Sequence, residues 1–251
     1  MIGSRKLTVF LGLLFLLTLA NSIQTLTKSA TQSTKKSQDQ TYPEYRNQFP
    51  VADYEAPEPS SVEERAVRRA KGARHDGRKF VSKDPTTRVS ESAALYEGGE
   101  KNPLPVDQST MVIIGKVVDA RAFLSNDKEN VYSEFNVSVE DVLKKDISVS
   151  IVPGKTLLCD REGGIVRYSN GHERLYRVIE QGMPVAGRQY LLFLRADSTN
   201  DYEILTGYEL RSSDVLPIDY SNQFQQYKGI DKTIFVQRLR DALSKGVLLL
   251  G

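Results

Sequence analysis

Gly187-Arg-Gln-Tyr-Leu-Leu-Phe-Leu-Arg195 is the most apolar short run in the chain after its first twenty residues, and its reading decides the fold. Pro184 and Gly187 precede the run, and the polar cluster Asp197-Ser198-Thr199-Asn200 follows it. So short and sharply bounded a run does not make a free-standing helix; it predicts a central β-strand. Further β-like segments lie on both sides of it, between Val112 and Leu210.

Working outward, Thr110-Met-Val-Ile-Ile-Gly-Lys-Val-Val-Asp-Ala120 is a β-branched run interrupted by Gly115, a place for a bulge or bend. Val131-Tyr-Ser-Glu-Phe-Asn-Val-Ser-Val-Glu140 alternates with period two. Phe135, Val137 and Val139 then share a buried face, while Glu134, Asn136, Ser138 and Glu140 share a wet one. Short strands are expected at 147–152 and 155–159 about the Pro153-Gly154 turn, and at 202–210, as two pieces or as one bent at Gly207. With no helical pattern between them, these strands predict a mainly β domain over 110–219: a small antiparallel barrel or a sandwich.

The flanks read differently. Arg5 and Lys6, the apolar run 7–19 and the small residues Ala20-Asn21-Ser22 make 1–22 an export signal, so the mature protein is expected to be secreted or periplasmic. Residues 23–109 are rich in Thr, Ser, Gln, Lys and Pro in their first part and predict a mostly disordered arm. Within it, Ser61 with Glu64 forms a capping box and opens a short basic helix near 62–71. Its Arg65, Arg68, Arg69 and Lys71 would lie on a solvated face, or touch an anionic surface. Over 220–251 a C-terminal helix is expected, capped by Asp231, with Ile234, Phe235, Leu239, Ala242 and Leu243 on one side.

The net charge of +2 is unevenly spread: residues 110–219 hold 13 Lys and Arg against 17 Asp and Glu. A mildly acidic core argues against nucleic acid as a partner, since that role needs a basic groove. Cys159 is the only cysteine, which excludes an intramolecular disulfide and a cysteine-based metal site within one chain. No cofactor is implied.

The hairpin signal Asn170-Gly171 is the clearest turn in the chain. A two-residue loop there would set Arg167 opposite Arg174, and like charges facing each other repel. Either the loop is longer, as hairpins with three to five residues commonly are, or Arg167, His172 and Arg174 form a small cationic face for an anionic ligand. A hydrolase would have to use His172 with Ser169 or Ser133 and a carboxylate such as Asp160, or with Cys159, yet no nucleophile-elbow motif marks any of them. Asp197, Asn200 and Asp201 lack the EF-hand pattern, and a polar loop is the expectation there.

Val112-Ile-Ile-Gly-Lys-Val, Phe135-Asn-Val-Ser-Val-Glu-Asp-Val-Leu-Lys-Lys145 and Gly187-Arg-Gln-Tyr-Leu-Leu-Phe-Leu together resemble exported bacterial domains of unknown function with an OB-like barrel. They are also distantly similar to the netrin/tissue-inhibitor-of-metalloproteinase module. In the inhibitor branch an amino-terminal cysteine held by disulfides chelates the target's zinc, whereas Cys159 is internal, so the resemblance carries the fold and no site residue. The resulting expectation is a non-enzymatic exported binding module for a protein or an envelope polymer, recognising it through the loops 125–130 and 163–171. The alternatives are a hydrolase using His172 and an envelope protein that self-associates through its C-terminal helix.

Overall fold

The computed structural model describes residues 47–77, 91–94, 101–147, 150–196 and 201–245; the expected export signal lies outside them. In chain order the elements are β1 (Val51–Asp53), α1 (Val62–Ala73), β2 (Glu91–Ala94), β3 (Met111–Leu124), β4 (Val131–Lys145), β5 (Thr156–Glu162), β6 (Gly164–Arg167), β7 (Glu173–Val178), β8 (Gln189–Ala196), β9 (Tyr202–Leu210), β10 (Val215–Pro217), α2 (Asn222–Gln225) and α3 (Lys232–Lys245). The protein is mainly β, and most strand pairs are antiparallel, as the short alternating segments predicted.

Two sheets form. In the larger, β8, β3, β4 and β5 pair antiparallel in that order, β5 then pairs parallel with β9, and β9 pairs back with β8. The strands therefore make a barrel-like ring that closes unevenly. Strands β3 and β4 pair along nearly their whole lengths, whereas β5 and β9 meet only at Cys159 with Tyr202 and Asp160 with Glu203. In the smaller sheet β6 and β7 form the central hairpin, flanked by β1 and β2 in parallel.

The apolar run of β8 is continuous because both of its faces are buried. Tyr190, Leu192 and Leu194 belong to one core with Met111, Ile113, Phe135, Val137 and Leu157. Leu191 and Phe193 pack in a second core with Tyr208, Phe224, Phe235 and Leu239. The C-terminal helix thus covers the barrel's outside. Asp231 caps α3 as expected, with Oδ1 accepting from the Ile234 amide at 3.0 Å. Ile234 itself stays outside at 48% exposure, and Val236 takes the inward place expected of it.

Strand β9 forms in one piece through Gly207. Two details depart from the sequence reading. No strand forms at 150–155, where Gly154 and Lys155 instead pair with Val139 at the start of the next strand. The described parts of the expected arm are also packed on the domain. Phe49 is 5% exposed in the barrel core, Ala52 of β1 is buried beside Val166 and Tyr176, and Leu104 lies in the core under α3. A three-residue strand such as β1 has too little sequence to show periodicity, and so escapes pattern reading. No helix of the described residues is long and apolar enough to cross a membrane.

Candidate functional site

The β6–β7 hairpin resolves the arginine conflict by lengthening its loop. Tyr168 pairs with His172, and Ser169-Asn170-Gly171 form a three-residue turn with Gly171 at φ +79°, a conformation glycine adopts without penalty. Arg167 therefore faces Glu173, not Arg174, and its Nε donates to Glu173 at 2.9 Å. One residue further on, Val166 faces Arg174, whose side chain is buried on the opposite side of the ribbon beside the Tyr176 hydroxyl. The structure consequently does not bring Arg167, His172 and Arg174 into one cationic face. His172 is half-buried against Tyr168 at 6.4 Å between rings, and its Nε2 is out of solvent without a hydrogen-bond partner.

The residues considered for hydrolysis are also apart in role. Cys159 is fully buried in the barrel core, where burial pushes its thiol up. The Ser133 hydroxyl donates to the Gly163 carbonyl at 2.7 Å. Asp160 receives Arg74 at 2.6 Å. Among the described residues there is no group of three or more His, Cys, Asp or Glu placed to hold a metal; Asp201, considered for calcium, is paired with Lys71 at 3.1 Å.

What the structure does assemble is a charged, aromatic face on β4 and β5 with α1 lying across it. The capping box forms, Ser61 accepting from the Glu64 amide at 3.0 Å. Arg68 reaches Glu134 at 2.8 Å and lies 3.5 Å above the Phe123 ring. Lys71 sits between Glu134 (3.3 Å) and Asp201 (3.1 Å), and Arg74 between Asp160 (2.6 Å) and Asp201 (3.5 Å). His75 stacks on Tyr132 at 4.2 Å between centroids. Gly72 permits the close approach to the 125–130 loop, because a Cβ there would stand 2.5 Å from Asn126 Oδ1. The loop answers with Asn126 donating to the Arg69 carbonyl and with Asp127 accepting from the Gly77 amide.

No known family model matches the chain, and no curated protein matches it.

The cations expected on a solvated face or an anionic surface are thus mostly turned inward. Arg68 and Lys71 grip the barrel and Arg65 donates to the Pro59 and Ser60 carbonyls, while Arg69 stays outward at 69% exposure. The wet side of β4 read from its alternation is real beyond Ser138, but Tyr132 and Glu134 at its start are covered. Nothing local announces this, since Arg68 and Glu134 are 66 residues apart and Arg74 and Asp160 are 86 apart.

Asp160 carries a pH signature. Burial raises its carboxyl from 3.8 to about 6; Arg74 opposes the shift, while Glu203, Asp201 and Glu134 add to it. A folded-state value above the unfolded one means that folding takes up a proton between the two, so this group's contribution falls as pH rises from about 4 to 6. Acidifying through that window is expected to add on the order of 2 kcal/mol to the parent chain relative to Asp160→Asn. Denaturant melts of both chains across the window check this, and parallel profiles would contradict it.

Proposed function

We propose that the protein is an exported, non-enzymatic binding module whose OB-like barrel meets a partner protein or envelope polymer. One observation carries the reading: the face of β4 and β5 is lined by carboxylates and an aromatic ring that hold a helix by charge and stacking and not by apolar packing. Such a surface recognises something. Export is supported by the composition of 1–22. The OB-like assignment is supported by the ring of pairings, in which three successive antiparallel strands are joined by a parallel return to β9. A binding role at β4, β5 and the loop between β3 and β4 is in keeping with how such barrels are used.

Two measurements test the proposal. N-terminal sequencing of the protein recovered from an expressing bacterium's envelope and medium is expected to begin near Asn21; an intact Met1 chain held in the cytoplasm would contradict export. Activity on generic ester and peptide substrates is expected at the level of buffer alone, and His172→Ala is expected to change nothing. Turnover that disappears with His172→Ala would overturn the non-enzymatic part.

A further inference from the structure

We infer that α1 is a detachable strap, and that the face beneath it is a docking surface for a cationic helix presented by another protein. The inference rests on the binding-module reading and names the kind of partner. The inward side of the strap is Arg65, Arg68, Lys71 and Gly72 of α1 with His75 just past its end, while Val62 and Val67 lie outward at 65% and 54% exposure. No residue of α1 belongs to any of the three apolar cores. A helix that faces its cations inward and its valines outward is held by contacts that salt weakens.

The recognition pattern is explicit. Arg68, Lys71 and Arg74 stand three residues apart, a spacing that keeps them on one side of the helix. They meet Glu134 on β4, Asp160 on β5 and Asp201 at the entry to β9, so the strap straddles the short β5–β9 seam. Lifting it leaves three carboxylates on one small face, a set that a cationic helix complements. The segment before the helix, 55–58, is exposed. Lys71 and Glu134 are each 6% exposed and Asp160 5%, while Arg68 and Arg74 are partly exposed; desolvation offsets much of what such pairs gain, and an untethered helix must in addition outcompete the local concentration that the tether gives the strap. The strap is therefore autoinhibitory.

The test uses the full mature chain and a fluorescent peptide of residues 60–77 as the probe. A triple variant, Arg68→Gln/Lys71→Gln/Arg74→Gln, is expected to bind the peptide at least about tenfold more tightly than the parent, because its own helix no longer competes. A peptide of the same composition with its basic spacing scrambled is expected to bind at least about tenfold more weakly than the original. Adding Glu134→Gln and Asp160→Asn to the triple variant is expected to abolish binding. A folded triple variant that binds no better than the parent overturns the inference, as does equal binding of the scrambled peptide. If the triple variant fails to fold, the parent chain decides: in isotopically labelled parent, saturating unlabelled peptide must speed hydrogen exchange of the parent's own α1 amides, and unchanged exchange overturns the strap. Failure here leaves a binding module that uses another surface, whereas hydrolytic turnover would sink the module reading without touching the strap.

Discussion

Asp219→Ala is expected to unfold about 3–5 kcal/mol more easily than the parent, because it strands a buried cation. Asp219 is 1% exposed, and its carboxylate receives both contacts from Arg161 Nη2 at 2.9 and 2.8 Å, the Thr206 hydroxyl at 2.8 Å and the Gly182 amide at 3.1 Å. Arg161 is 2% exposed; its Nη1 donates to the Gly182 carbonyl at 2.7 Å and its Nη2 also reaches the Leu205 carbonyl at 3.1 Å. These contacts tie β5 and β9 to the segments at 181–183 and 218–219. Lys101 Nζ stands 3.9 Å away, and burial and the charge of Arg161 lower it from 10.5 to about 8 although Asp219 pulls the other way. Removing the carboxylate leaves the Arg161 guanidinium without its counter-charge out of water, and takes away a charge that favours the protonated form of Lys101. Replacing the pair together, Arg161→Met with Asp219→Leu, is expected to destabilise less than Asp219→Ala alone, since no buried charge is then orphaned. Equilibrium denaturation of the three chains checks the order, and a double variant worse than the single one would contradict this account.

Phe193→Ala is expected to lower stability by about 3–5 kcal/mol, the range for removing a fully buried aromatic. Phe193 has no exposed surface and sits edge-on to Tyr208 at 6.4 Å between ring centroids. Tyr208 in turn packs on Phe235 of α3 at 4.7 Å and donates its hydroxyl to the Pro103 carbonyl at 2.7 Å. The cavity would open where the helix, the lead-in at 103–104 and the barrel meet, a junction that cannot collapse without moving α3. Thermal melts are therefore expected to show loss of the α3 contact together with the β signal. A loss below about 1 kcal/mol would mean that the outer core contributes little.

The run 190–194 disclosed the centre of the fold because burial on both faces leaves an unbroken apolar signal. Phe135, Val137 and Val139 were legible because burial on one face leaves an alternating one. Asn170-Gly171 marked the hairpin, and the structure supplied its loop length: Tyr168 pairs with His172, which separates Arg167 from Arg174. Residues 147–152 have strand composition, but where described they lie in a loop, with Ile147 fully exposed. The charged face was invisible for a different reason. Glu134 occupies a position that alternation assigns to water, Asp160 lies just past the strand expected at 155–159, and the cations that cover them sit far away on and just past a helix whose composition suits a solvated surface equally well. Periodicity reports which side of an element is apolar; it is silent on a contact made of charge.

Residue-resolved hydrogen exchange of the intact chain, at low and at high salt, tests the central claim most directly. The amides of α1 are predicted to exchange faster than those of β3 and β8 and to speed up further as salt is raised, while the barrel strands hold their protection. Exchange of α1 in step with β8 at every salt concentration would show one cooperative unit, and would contradict a helix held to the barrel by charge.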